Sequence, residues 1–141
     1  MRRTGLILSG SEIFGRGERL RMSEKSELRR EIMKAVTDAG GRVFRNQVGM
    51  GWYGHMVQSD AKEGHTIVLT GARPLYAGLC EGSSDLIGWY RGRFLAIEVK
   101  AAKGRATQEQ VNFIENVNRD GGIGIIARSV DEVLDTLKKS V

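Results

Sequence analysis

Apolar side chains recur at helical spacing in three stretches of the chain. The first stretch, Ser23 to Ala39, opens on a serine suited to capping a helix, with Ser26 as a second candidate, and ends before a pair of glycines. The second stretch runs from Thr107 to about Arg119, and the third follows Ser129. Because serine and threonine are favoured N-cap residues, the pattern predicts three capped amphipathic helices.

Runs of β-branched and apolar residues outside these helices predict strands. The predicted strands are Val43 to Val48, Thr66 to Thr70, Leu86 to Tyr90, Phe94 to Lys100 and Ile123 to Ala127. Arg91 and Gly92 indicate a tight turn between the third strand and the fourth, which predicts a hairpin. The glycine-rich stretch from Gly49 to Gly64 is compatible with a hairpin or with an extended loop. Pro74 is predicted to lie in a turn.

This order of elements predicts an α/β fold, a sandwich in which a central mixed β-sheet is flanked by helices. The chain has 141 residues, the length of one ordinary domain, and we place that domain at 23–141. Residues 1–22 are predicted to form an irregular basic arm, because Arg16, Arg19 and Arg21 stand near glycines. Such an arm could bind a DNA backbone or have no role.

The composition narrows the class of partner. The net charge of +5 suits a polyanion such as nucleic acid, although many small basic domains bind no DNA. No apolar run approaches the ~20 residues that a membrane helix needs. The apolar stretch from Leu6 to Leu8 is too short for the core of a signal peptide. We therefore expect a cytoplasmic protein.

The residues richest in chemical information lie in the predicted hairpin. Asp85 begins its first strand, and Glu98 and Lys100 are two positions apart in the second, so both project from one face. Val99 then points to the opposite face, into the core. Two carboxylates and a backbone carbonyl form a hard oxygen site suited to Mg²⁺ or Mn²⁺, which can polarise a phosphodiester and activate water. The ammonium of Lys100 can orient that water or neutralise charge that develops on the phosphate.

A simpler interpretation is a Glu98–Lys100 salt bridge at a strand end, with Asp85 as a turn residue. Isolated charges are costly to bury, however, and the apolar residues at 94–97 indicate that this strand is central. The basic loop of Lys103, Gly104 and Arg105 that follows fits a phosphate-facing site. The context therefore favours metal-assisted chemistry over a structural ion pair.

Four segments carry a family resemblance, namely GSSDLIG, RGRFLAIEVK, KGRATQEQ and GGIGIIARS. From Gly78 to Ser129 the chain resembles the VRR-NUC (virus-type replication-repair nuclease) domain of the PD-(D/E)XK superfamily, and the resemblance extends more loosely back to Ser23. It implies a restriction-endonuclease-like fold and a divalent-metal nuclease that acts on DNA, often branched DNA. One departure is Ser84, which stands where many superfamily members have proline before the aspartate.

The resemblance also implies roles for individual residues. Asp85 and Glu98 would be metal ligands together with the carbonyl of Val99, and Lys100 would be the catalytic lysine. Gln110 matches a glutamine that supports the active centre or the DNA, although it could also be an ordinary polar helix residue.

An acidic residue of the first helix often joins the site in this family. Glu24 lies nearer the apolar face of the helix and is favoured over Glu27, although both could simply be charges favourable to the helix dipole. The candidates for contact with DNA phosphates are Lys103, Arg105, Arg45 and Arg73.

Together these expectations describe a deoxyribonuclease that hydrolyses phosphodiester bonds with Mg²⁺ or Mn²⁺. A symmetric pair of sites would bind branched DNA such as a four-way junction more easily than one small domain, so a homodimer is predicted. A replication-repair setting in a phage or its bacterial host would suit the family. Two alternatives stay open, a general DNA endonuclease or nickase and a catalytically silent DNA-binding module.

Overall fold

The computed structural model describes residues 4–8, 23–58 and 60–141. The strands in these ranges are β1 (Thr4–Leu8), β2 (Arg42–Arg45), β3 (Gly49–Met56), β4 (Leu69–Ala77), β5 (Leu86–Tyr90), β6 (Arg93–Val99) and β7 (Ile123–Ala127). The helices are α1 (Glu24–Asp38), α2 (Gln108–Arg119) and α3 (Val130–Lys139). Contacts between residues divide the chain into two compact units, of which the smaller holds β1, β3 and β4.

A four-stranded sheet forms the centre of the larger unit, in the order β2-β5-β6-β7. β5 is antiparallel to both β2 and β6, whereas β7 is parallel to β6, so the sheet is mixed. The helices begin at the predicted caps, because the side chains of Ser23, Thr107 and Ser129 each accept a hydrogen bond from the backbone three residues later. The predicted α/β fold with a mixed sheet and flanking helices is confirmed.

The hairpin between β5 and β6 turns on the two predicted residues. The backbone angle φ is 48° at Arg91 and 76° at Gly92. Positive φ at both central residues matches the twist of a two-residue hairpin, and glycine adopts it without strain. The resulting register sets Leu86 opposite Ile97. The residues that flank this pair, Asp85 and Glu98, are therefore brought to neighbouring positions.

From Leu95 to Val99, both faces of β6 are buried. One face contributes to the core cluster, whose members on β6, α1 and α3 are Leu95, Ile97, Val99, Ile32, Val36, Val133 and Leu137. Val99 thus points into the core, as predicted. The other face of β6 carries Ala96 and Glu98, and both are buried as well. A carboxylate in the centre of this sheet is removed from bulk water, so it requires partners from the protein.

The smaller unit contains a second, antiparallel sheet in the order β1-β3-β4. The glycine-rich stretch therefore supplies a strand paired with Leu69–Ala77, which favours the hairpin over the extended loop. Pro74 lies inside β4 opposite Trp52, and its predicted placement in a turn is wrong. Among the described residues β4 is an edge strand of this sheet, where a residue that lacks a backbone N–H is tolerated.

Part of the predicted basic arm also forms a strand. Thr4–Leu8 pairs with β3, whereas the sequence predicted irregular structure there. This strand was not predicted, because the hydrogen bonds that define it come from residues more than forty positions further along the chain. Arg16, Arg19 and Arg21 lie outside the described residues, and the boundary between residues 22 and 23 stays a prediction.

The helices of the described ranges are α1, α2 and α3, and none of them has the length and apolar character needed to cross a membrane.

Candidate active site

Asp85 stands immediately before β5 and reaches across to the next strand. Its Oδ2 accepts a hydrogen bond from the backbone N of Val99 at 3.0 Å. Its own backbone N donates to Oε2 of Glu98 at 3.2 Å. These reciprocal bonds hold the two carboxylates side by side, as the predicted hairpin requires.

A buried asparagine fixes the segment that leads into Asp85. The Nδ2 of Asn46 donates to Oγ of Ser83 at 2.8 Å and to the carbonyl of Ser84 at 2.9 Å. Its Oδ1 accepts from the backbone N of Leu79 at 3.0 Å, and its backbone N donates to the carbonyl of Asp85 at 2.8 Å. No role for Asn46 was predicted, because these partners lie more than thirty residues away along the chain.

Glu98 is the most deeply buried charged residue of the site, with 1% of its surface exposed. Its Oε1 lies 3.1 Å from Nζ of Lys100 and accepts a hydrogen bond from Nε2 of Gln110 at 2.8 Å. Burial raises the pKa of this carboxyl above its ordinary value, the charge of Asp85 raises it further, and Lys100 opposes both effects. The ionised form of Glu98 therefore depends on the cations around it.

Gln110 connects the lysine to the glutamate. Its Oε1 accepts hydrogen bonds from Nζ of Lys100 at 2.7 Å and from the backbone N of Thr107 at 2.9 Å. Thr107 in turn caps α2, so the same glutamine completes the helix cap and orients the lysine. An ordinary surface glutamine would contact neither Lys100 nor Glu98.

Two cations from α1 complete the cluster, and neither was predicted to lie there. The Nζ of Lys25 lies 2.9 Å from Oδ2 of Asp85 and 4.0 Å from Oε1 of Glu98. Arg29 places Nη2 3.5 Å from Oδ1 of Asp85. A signal for them exists, because positions 25 and 29 continue the buried stripe of Ile32 and Val36 toward the helix N-terminus at helical spacing.

The first-helix glutamates are placed differently from these cations. Glu24 and Glu27 are both exposed in the first turn of α1. Among the described residues, no group of three or more histidine, cysteine, aspartate or glutamate side chains lies close enough together to hold a metal ion. The assignment of Glu24, or Glu27, as a further metal ligand stays a prediction.

The donor set at the carboxylate pair suits a hard divalent cation. Asp85 and Glu98 supply carboxylate oxygens, which Mg²⁺ and Mn²⁺ prefer, and the backbone directly after Glu98 can add the carbonyl of Val99. The ammonium of Lys25 already lies within 2.9 Å and 4.0 Å of oxygens from both carboxylates. The pair therefore has a common position for a cation, and Mg²⁺ needs only one or two carboxylates when water fills the remaining positions.

The basic candidates for DNA contact occupy several elements. Lys103 and Arg105 are exposed in the loop after Lys100, and Arg128 steadies this loop by donating to the carbonyl of Gly104 at 2.7 Å. Arg45 is exposed at the end of β2, where it pairs with the residue that follows Asp85. Arg73 is exposed on β4 of the smaller unit.

Glu98 is expected to make the stability of the metal-free protein depend on pH. A carboxyl whose pKa is raised in the folded state favours that state only while protonated, so its contribution to the free energy of unfolding falls as pH rises from 4.5 through the raised pKa. Glu98→Gln removes this titration. In EDTA, urea denaturation should show the stability of Glu98→Gln increasing relative to the unaltered protein as pH rises through that window.

The exposed Glu115 on α2 offers a matched control, Glu115→Gln, for the chemical change itself. A stability difference between Glu98→Gln and the unaltered protein that stays constant from about pH 4.5 to about pH 8 would contradict the raised pKa.

Comparison with known families gives one match, and it covers the site. The model of the VRR-NUC domain matches residues 47–131, more than half of the chain. The matched range contains Asp85, Glu98, Lys100 and Gln110, whereas α1 with Lys25 lies before it. No protein in the search of curated sequences matches this chain.

Proposed function

The chain belongs to the VRR-NUC domain family of nucleases, and from this premise we propose that it is a divalent-metal-dependent deoxyribonuclease with its active centre at Asp85, Glu98 and Lys100. The observation that carries the proposal is the convergence of two carboxylates and one lysine from two adjacent strands, inside the range that matches the family. An ion pair with a purely structural role would not need a second carboxylate beside the first.

Each residue of the centre has a distinct role in the proposed reaction. Asp85 and Glu98, with the carbonyl of Val99, would hold Mg²⁺ or Mn²⁺, and the bound ion would polarise the phosphodiester and lower the pKa of a water ligand. Lys100 is held by Gln110 with its ammonium toward the carboxylates, where it can orient the attacking water or neutralise charge on the phosphate. Lys103, Arg105 and Arg45 would bind neighbouring phosphates of the DNA.

Branched DNA is the substrate that we propose, with a homodimer as the active form. The reason is geometric, because one small domain covers a limited surface, and a symmetric dimer presents two sites to the two sides of a four-way junction. Analytical ultracentrifugation with and without a junction would measure the assembly. A monomer that cuts linear duplex as fast as a junction would favour a general endonuclease or nickase instead.

The cleavage test compares labelled four-way junction, flap, duplex and single-stranded DNA in Mg²⁺, Mn²⁺ or EDTA. Cleavage is expected only with a divalent ion, and Asp85→Asn is expected to lower its rate by about 100-fold or more, because one metal ligand loses its charge. Asp38→Asn makes the same chemical change at an exposed position of α1 and should cleave normally. If the protein binds these substrates tightly but cleaves none of them, it is instead a DNA-binding module.

A further inference from the structure

Lys25 stands out in the candidate site because it contacts both carboxylates. Among the carboxylates of the described residues, Arg29 reaches Asp85 alone and Lys100 pairs with Glu98 alone. Lys25 lies between them, at 2.9 Å from Asp85 and 4.0 Å from Glu98. Its ammonium therefore occupies the position at which a cation can contact both carboxylates.

The described cations outnumber the carboxylates even without a metal. Within the described ranges, three cationic side chains face two carboxylates, so this cluster carries one excess positive charge when both carboxylates are ionised. The side chain of Lys25 is 34% exposed and that of Asp85 is 20% exposed, so water screens their attraction only in part. A divalent cation that enters this cluster meets repulsion unless a cation leaves.

We propose that Lys25 is an internal counterion of the metal site, whose ammonium and a divalent cation bind the Asp85–Glu98 pair in mutually exclusive fashion. This inference rests on the proposed function, because it concerns how the nuclease acquires its metal. In the metal-free protein Lys25 offsets the repulsion between the two carboxylates. Metal binding must displace it, and the apparent affinity for metal is lowered by the fraction of molecules in which Lys25 holds the pair.

The position of Lys25 makes such an exchange feasible. It lies in the first turn of α1, one residue after the start of the helix, and its long side chain is partly exposed. Its ammonium can therefore swing into water without moving the helix. Arg29 is less free to do so, since it lies one turn deeper and its side chain is only 20% exposed.

The test measures metal binding directly, by electron paramagnetic resonance of free Mn²⁺ during titration of the 141-residue chain without DNA. Lys25→Met is expected to bind Mn²⁺ about tenfold more tightly, which corresponds to an ion pair that holds the site in about nine of ten molecules. Lys25→Gln keeps a polar side chain and should behave in the same way. Lys34→Met removes an equal charge from an exposed position of α1 and should leave Mn²⁺ affinity unchanged.

A second measurement separates displacement from long-range repulsion. Acetylation of individual lysines, followed by mass spectrometry, should show Lys25 becoming more reactive when Mg²⁺ is added, while Lys34 stays unchanged. Equal Mn²⁺ affinity in Lys25→Met and the unaltered protein would overturn the inference and leave the nuclease intact. Failure of every variant to bind Mn²⁺ would overturn the metal-dependent nuclease together with the inference.

Discussion

Lys100→Met is expected to reduce the rate of DNA cleavage by about 10³-fold, the largest effect on activity that we predict for one side chain. The Nζ of Lys100 lies 3.1 Å from Glu98 and 2.7 Å from the Oε1 of Gln110, so the protein aims its charge in advance at the carboxylate pair. Methionine has an unbranched side chain of similar length and removes the charge. Single-turnover cleavage of a labelled junction in Mg²⁺ would measure the loss.

The same substitution has a second effect that the experiment must separate. Lys100 opposes the rise in the pKa of Glu98, so its removal raises that pKa further and favours a protonated carboxyl that binds metal poorly. Assays from about pH 6 to about pH 9 distinguish the two effects. A loss caused by Glu98 alone would recover at high pH, whereas loss of the ammonium at the reacting phosphate persists.

Two controls complete the Lys100 experiment. Lys138→Met makes the same change at an exposed position in the last turn of α3 and should cleave normally. DNA binding in Ca²⁺ should also be retained by Lys100→Met, because its expected contribution is to the transition state. If Lys100→Met cleaves DNA at a rate within about threefold of that of the unaltered protein, Lys100 does not belong to the active centre.

Gly88→Ala is expected to lower the free energy of unfolding by about 3 kcal/mol or more, the largest effect on stability that we predict. A Cβ at position 88 would overlap the carbonyl oxygen of Arg42 and lie 2.7 Å from the carbonyl carbon of that residue and 2.8 Å from Cα of Val43. All three atoms belong to the backbone of β2, so no side-chain movement can relieve the overlap. Urea denaturation in EDTA would measure the change.

The consequence for the site follows from the position of Gly88. It lies in β5 three residues after Asp85, and β2 ends one residue before Asn46. Separation of β2 from β5 would therefore also release the asparagine that fixes the approach to Asp85.

Gly49→Ala provides the matched control for Gly88→Ala. It also lies in a strand, but a Cβ there meets nothing within 4 Å. Its effect should stay within about 0.5 kcal/mol. A similar, small effect for both glycines would show that β2 can move away from β5 at little cost.

Local patterns in the sequence were enough to predict most elements of the larger unit. The three N-caps, the helical spacing of apolar residues and the Arg91-Gly92 turn depend on neighbours within four residues, so each is encoded where it occurs. The hairpin register follows from that turn. For this reason the meeting of Asp85 with Glu98 and Lys100 could also be predicted, because Asp85 and Glu98 are only 13 positions apart along one hairpin.

Those local patterns could not predict contacts between distant segments. The strand at Thr4–Leu8 and the placement of Pro74 within β4 depend on pairing with β3, and the role of Asn46 depends on partners at 79–85. The steric need for glycine at position 88 likewise comes from a strand more than forty residues earlier. Each of these features depends on which distant segments the fold brings together, and a local sequence pattern does not specify that pairing.

The sequence by itself determined the helices, the hairpin and the pair of carboxylates with its lysine, because short-range spacing fixes which side chains share a face. Only the tertiary structure decided which side chains of α1 meet that pair. Helical spacing puts Lys25 and Arg29 in line with the buried stripe of α1, and the packing of this helix in the folded unit sets both against Asp85 while Glu24 and Glu27 stay exposed. The rotation of a helix about its axis is set by the surface on which it packs, and that surface is assembled from the whole fold.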